Sequence, residues 1–290
     1  MRLISYKRAE APALGVLTPE REEHFTPVPG LDMLELIQSG AAGLDRVQRA
    51  LREGPPLPLS TISLLAPIPH LVRNVFCLGW NYAEHSRETA QIRGLQARTP
   101  ERPVFFTKAT TTINSPYGDI PVDSRVSEQN DWEVELGVII GSGGKNISRR
   151  RALEHVFGYT VINDVSARDV QSAHGKQFFK GKRLDGYCPM GPWVVTPEEI
   201  AEPHGLDLYC RVNGVLKQEG NTRDMIFDIP SIIEWLSLGM TLLPGDVIAT
   251  GTPAGVGFAR TPPEYLTPGD VVECTVERIG TLCNPVVAIS

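Results

Sequence analysis

The sequence predicts an α+β fold rich in strand, with a small N-terminal α/β accessory unit ahead of a large β-dominated main domain. Three observations carry this reading. From Val104 onward most apolar runs are short, alternate with polar residues and are separated by turn formers, the pattern of half-buried strands. Helical periodicity is confined to a few places, two of them before residue 54. Between the two regimes, residues 54–69 (GPPLPLSTISLLAPIP) are dense in proline and turn residues, which sets the accessory unit at 1–66 and the main domain at 67–290.

In chain order, Met1 to Tyr6 and Ala13 to Leu17 read as strands. Leu31, Met33, Leu34, Leu36 and Ile37 form a helical stripe with Gly40 as its stop, and a second helix over Leu44 to Arg52 ends at Gly54-Pro55-Pro56. Val75 to Leu78 reads as a strand of buried character and Gly158 to Ile162 as a further strand. Ser166 and Asp169 have capping-box spacing and predict a helix opening at Ser166. Another helix starts near Asp228, with Pro230 in its first turn, and runs through Ile232, Ile233 and Leu236. The tetrapeptide Pro-Gly-Asp-Val occurs at 244–247 and again at 268–271, each time suiting a type II turn that leads into a strand.

Composition excludes several classes of function. Over 290 residues, 41% hydrophobic and 21% charged is an ordinary globular balance, and the chain is long enough for a large core. The net charge of −6 is spread without a run of Lys or Arg, so nucleic acid is not expected as a partner. The five cysteines are odd in number and form no CxxC pair, which predicts reduced thiols and a cytoplasmic protein. The N-terminus lacks the apolar run of a signal peptide, and no stretch is long enough to span a membrane.

Five constellations carry chemistry. Asp131, Glu133 and Glu135 fall on one face of a strand, with Trp132, Val134 and Leu136 on the other. Carboxylates at that spacing repel unless a cation lies between them; a hard divalent ion such as Mg²⁺ fits, and so does a solvated strand edge. Asn163-Asp164 closes the 158–162 strand, where it either satisfies backbone donors or adds a third oxygen ligand. His85 and Glu88 are one helical turn apart, giving a candidate general base with its orienting carboxylate or a surface ion pair. Lys180 and Lys182 lie beside Phe178 and Phe179, where a lysine could offset an anionic intermediate or be solvated. Thr250 to Gly257 (TGTPAGVG) carries three glycines whose N–H groups could approach a small carboxylate, or make a tight turn without a ligand. The polar segment from Glu88 to about Pro103 suits a mobile lid.

Taken together, GWNYAEH (79–85), DWEVELGVIIG (131–141), GYTVINDVSARDVQ (158–171), GKRLDGYCPMGPW (181–193), NTRDMIFDIPSIIEWLS (221–237) and ATGTPAGVG (249–257) make the chain resemble the fumarylacetoacetate hydrolase family over about residues 70 to 288. The resemblance implies that family's mixed β-roll for the main domain, and a homodimer. It implies Mg²⁺ or Mn²⁺ on Glu133, Glu135 and Asp164, a catalytic pair at His85 and Glu88, and a catalytic lysine at Lys182. It maps substrate contacts onto Gln171 and Thr252, beside Gly251, and Arg168 onto a supporting position. Two positions depart from the pattern: Leu78 stands where the larger animal enzymes carry a further Asp, and Trp80 is foreign to its place.

The implied substrate is a small 2-oxo acid. With His85 and Glu88 both present, the expected reaction is hydrolysis of a C–C bond in a 2,4-dioxo acid such as an acylpyruvate. The alternatives on the same scaffold are decarboxylation of a β-keto acid such as oxaloacetate, and isomerisation or dehydration of a 2-oxo acid. A metal-dependent binding module without catalysis is the remaining reading.

Overall fold

The computed structural model describes every residue except Glu10, Pro19, Glu20, Arg93, Leu95, Ala97, Arg98, Gly175, Lys176 and Ser290, and the side chains of Arg21 and Glu22. Its centre is a large mixed sheet. Across it run residues 57–58, 21–28, 11–18, 2–8, 188–195, 156–163, 134–140, 247–249, 75–79 and 104–108 in that order, with 113–114 pairing onto 188–195 off this path. Neighbours on that path are antiparallel except 247–249 against 75–79, where Ile248 faces Phe76. A five-stranded sheet, in the order 215–221, 207–212, 271–276, 280–288 and 120–122, packs on one face.

The strand Val134–Ile140 is buried along its whole length because both faces of the large sheet are covered. Val134, Leu136, Val138 and Ile140 enter a core shared with Leu208, Cys210, Val272 and Leu282 of the second sheet and with Ile232 and Ile233 of the helix Ile229–Ser237. Ile139 points the opposite way, into a core with Leu36 and Val47 from two N-terminal helices, Met33–Ser39 and Ala41–Glu53. The first of these starts at Asp32, whose side chain accepts from Glu35 N–H while Glu35 answers at Asp32 N–H, and stops at Gly40.

Residues 1–66 do not form a sheet of their own. The strand Arg2–Arg8 pairs with Ala11–Thr18 on one side and with Cys188–Val195 on the other, Arg2 opposite Val195 and Leu3 opposite Val194. The third N-terminal strand, Arg21–Val28, has no counterpart in the sequence reading because Glu22, Glu23 and Pro27 mask its alternation. The Pro-Gly-Asp-Val echo is a pair of type II turns. Asp246 N–H donates to Leu243 O at 3.0 Å and Asp270 N–H to Thr267 O at 3.1 Å, over Gly245 and Gly269 at φ +91° and +99°.

The helix expected to open at Ser166 starts later. Ser166–Ala167 instead pairs with Asn130–Asp131, Ser166 Oγ donates to Asp164 O at 2.8 Å, and the helix spans Arg168–Ala173. A strand pair claims the backbone that a capping box needs, and local spacing carries no sign of that long-range partner.

Candidate active site

The site forms where the strands Val134–Ile140 and Val156–Asn163 meet at one end. Their register sets Val134 against Asn163, and one step further Asp164 N–H donates to Glu133 O at 2.9 Å. That places one carboxylate on each side of the junction, and Glu135, two residues on from Glu133, returns to the same face. Glu133, Glu135 and Asp164 are buried, and an oxygen from each lies within 4.8 Å of the others.

Asp131 does not join them, although alternation alone would put it on that face. The strand is interrupted at Trp132-Glu133, and the Asp131 carboxylate turns to accept from Gly257 N–H (2.6 Å), Phe258 N–H (3.1 Å) and Arg168 Nε (2.8 Å). It ties the strand that bears Glu133 and Glu135 to the glycine loop and Arg168.

Three buried cationic groups meet these acids. Lys182 Nζ donates to Glu133 Oε2 at 2.6 Å and to Asp164 Oδ2 at 2.9 Å. Lys108 Nζ donates to Asp164 Oδ1 at 2.6 Å and to Val165 O at 3.0 Å. Arg168 Nη2 is 2.7 Å from Glu133 Oε1. Burial opposes ionisation of Glu133, but Lys182 and Arg168 outweigh it and hold the carboxyl at about 2. Burial also works against the Lys182 ammonium, yet Asp164 and Glu133 raise it above its ordinary range, so it stays charged.

Glu135 is the exception. Burial, with Asp164 and Glu133 alongside, pushes its carboxyl well above the usual range, and its hydrogen-bond donor among the described residues is Gly251 N–H at 2.7 Å. Four buried carboxylates thus face three buried cations, and the unmatched charge falls on Glu135. An all-oxygen set short of positive charge fits a divalent cation such as Mg²⁺ or Mn²⁺, which Glu133, Glu135 and Asp164 would hold.

The second part of the site is the helix Ala83–Ile92. Its spacing brings His85 Nδ1 to 2.8 Å from Glu88 Oε1, and His85 is buried. A carboxylate can only accept, so Nδ1 carries the hydrogen and Nε2 keeps a lone pair for a proton. Glu88 also accepts from Gly255 N–H at 3.0 Å, pinning the helix to the glycine loop. Of the segment expected to act as a lid, Arg93, Leu95, Ala97 and Arg98 lie outside the described residues.

The glycine loop binds carboxylates of this chain. Gly251, Gly255 and Gly257 give their N–H groups to Glu135, Glu88 and Asp131, so the carboxylates they cradle are the protein's own. Gly251, which the resemblance maps as a substrate contact, gives its N–H to Glu135; its φ of +100° and the 2.8 Å approach of Asn81 Cβ to a Cβ at this position demand glycine. Thr252 lies on the cavity wall, donating its hydroxyl to Val134 O at 2.8 Å and accepting from Gln218 Nε2 at 2.8 Å.

A small, half-open pocket joins these parts, with Glu133, Lys182, Arg168, Gln171 and His85 on its walls. Arg168, taken from sequence as support, therefore faces the cavity, its guanidinium stacked 4.5 Å over Phe258. Lys108 belongs to none of the constellations legible in the sequence. Its one signal is a lysine closing the apolar strand Val104–Lys108, a residue type that is buried only when paired.

The chain resembles known proteins over most of its length. The family model described as fumarylacetoacetate (FAA) hydrolase C-terminal matches residues 74–287. An oxaloacetate tautomerase of Bacillus subtilis (strain 168) is 50% identical over 229 residues, covering 79% of this chain and 74% of the relative. A mitochondrial oxaloacetate tautomerase of Bos taurus is 44% identical over 265 residues, covering 91% and 82%. Among solved structures, a maleylpyruvate hydrolase from Sphingobium sp. SYK-6 in complex with manganese(II) and pyruvate superposes with a TM-score of 0.81 at 28% identity, covering 100% of both chains. No helix among the described residues is long and apolar enough to cross a membrane.

Proposed function

Since the chain belongs to the fumarylacetoacetate hydrolase family, we propose that it is a metal-dependent keto–enol tautomerase of a short 2-oxo acid, with oxaloacetate as the first substrate to test. The observation that carries this is the 50% identity to an oxaloacetate tautomerase. It replaces the C–C hydrolase expected from sequence as the leading reading. Tautomerisation asks less of the site than hydrolysis: one proton moves between C3 and the 2-oxygen, no carbon skeleton bond breaks and no water is consumed.

The chain's own residues suit that step. His85, with Nδ1 held by Glu88, offers Nε2 as the base that takes the proton from C3 and delivers it to the 2-oxygen, or carries it in reverse from enol to ketone. The Lys182 ammonium, kept charged by Glu133 and Asp164, offsets the negative charge that grows on the substrate as that proton leaves. Arg168 and Gln171 line the same cavity and suit an acidic substrate. When bound to Glu133, Glu135 and Asp164, a divalent cation would supply Lewis-acid polarisation of the 2-oxo group.

A hydrolase of 2,4-dioxo acids is the second reading, favoured by the likeness to a maleylpyruvate hydrolase that holds manganese(II) and pyruvate. The ultraviolet absorbance of enol-oxaloacetate, followed with Mg²⁺ present, separates the two. The tautomerase reading expects enol decay far faster than in buffer. Cleavage of an acylpyruvate combined with buffer-rate decay of the enol would put the hydrolase in its place.

A further inference from the structure

The cavity wall carries two unusual features. Trp80 lies on its wall with φ +57°, a left-handed backbone that a bulky side chain rarely adopts. Its ring meets Phe178 edge-on at 5.2 Å, and Phe178 in turn meets Phe106 at 5.5 Å. Gly79 makes room for this stack, since a Cβ there would come within 2.9 Å of Phe178. Backbone strain of this kind persists only where the surroundings hold it, and here the surroundings are the wall itself.

The second feature is Thr89. It follows His85 by one helical turn, lines the same cavity and is 5% exposed, yet its hydroxyl has no hydrogen-bond partner among the described residues. A buried hydroxyl left unpaired costs free energy, so one on a cavity wall selects for a ligand that pairs with it.

We propose that Trp80 and Thr89 are specificity-determining residues: Trp80, braced by Phe178, limits the length of chain the cavity admits, and Thr89 meets a polar group on that chain. The substrate class is thereby narrowed to 2-oxo acids of about four carbons with a hydroxyl or carboxyl terminus. Longer acyl chains meet the indole ring. This rests on reading the site as one for 2-oxo acids.

The test is calorimetric binding with Mg²⁺ present, which needs no turnover. Wild type is titrated with pyruvate, 2-oxopentanoate, 2-oxohexanoate and 4-hydroxy-2-oxobutanoate. It should prefer 4-hydroxy-2-oxobutanoate to 2-oxopentanoate, its near-isostere, and bind 2-oxohexanoate worst. Trp80→Gly, whose new residue adopts φ +57° freely, should tighten 2-oxohexanoate by about fourfold for each methylene admitted. Trp80→Leu should move in the same direction by less, and serves if the glycine variant does not fold. Thr89→Val should cut the preference for the hydroxylated ligand by up to about tenfold. Unchanged ligand preferences in these variants overturn the proposal and leave the 2-oxo acid reading intact. Failure of every 2-oxo acid to bind wild type overturns both.

Discussion

Lys108 Nζ lies 2.6 Å from Asp164 Oδ1, and both side chains are fully shielded from solvent. On the other oxygen, Asp164 holds Lys182 at 2.9 Å, so both of its oxygens are taken by ammonium groups. Such a pair contributes little as net stability, but loss of one member leaves a buried charge uncompensated.

Lys108→Met is therefore expected to lower the melting temperature in chelator strongly, in line with the roughly 3–5 kcal/mol that follows from breaking a buried pair. The stranded carboxylate is then available to a cation, so Mg²⁺ should raise the melting temperature of this variant more than that of wild type. Differential scanning calorimetry with and without metal measures both. Equal metal-induced shifts would mean that Lys108 and the cation do not share Asp164.

Glu135→Gln should act in the opposite sense. It removes the one carboxylate of the cluster that lacks a cationic partner, so the metal-free protein should melt at or above the wild-type temperature. The same change should abolish tight Mg²⁺ binding, read by calorimetric titration. Wild-type activity in excess chelator, or undiminished metal affinity in the variant, would remove these three acids from the metal site.

His85→Ala should reduce tautomerisation by about 10²–10⁴-fold, the usual contribution of a general base. The loss should fall on kcat more than on KM, since Arg168 and Gln171 stay in place to bind substrate. A KM effect alone would make His85 a binding residue.

The helix Ile229–Ser237 is capped from two directions: Asp228 Oδ1 accepts Ser231 N–H at 2.9 Å, and His204 Nε2 accepts Ile229 N–H at 3.0 Å. Burial holds His204 below its ordinary 6.5, so neutral His204 stabilises the fold above that pH and the contribution fades as pH falls below it. Burial raises Asp228, but bonds from Ser231 and the charge of Arg149 overcome this and lower it, so its contribution is complete above 3.8 and fades beneath. Melting temperatures from pH 7 to 5 should thus drop further in wild type than in His204→Gln. Asp228→Ala should cost about 1 kcal/mol at pH 7. Parallel curves for wild type and His204→Gln would show that His204 does not sense pH here.

What the sequence made legible was local. The stripe Met33, Leu36, Ile37 with Gly40 behind it, the alternation around Glu133 and Glu135, and the one-turn spacing of His85 and Glu88 are set by residues close in the chain, and each has the local geometry its spacing implies. Lys108 escaped because its meaning depends on Asp164, 56 residues away. The glycine loop left two readings open in sequence because its carboxylate partners Glu135 and Asp131 are 116 and 126 residues away. Ser166 misled because its spacing is right for a cap while Asp131 claims the neighbouring backbone as a strand partner.

The pairing of Arg2–Arg8 with Cys188–Val195 bears on any attempt to shorten the protein to the 74–287 span that its family model matches. Such a fragment would uncover the Cys188–Val195 edge and offer its unpaired N–H and C=O groups to other copies, a template for aggregation. It would also bare the side of the sheet from which Ile139 and Ile162 point toward the N-terminal helices. Water admitted there raises the dielectric behind Glu135 and relaxes the electrostatic demand for a cation. The N-terminal strands and helices are in this sense the site's insulation, and their removal should weaken the hold of Glu133, Glu135 and Asp164 on a divalent cation without altering any of the three.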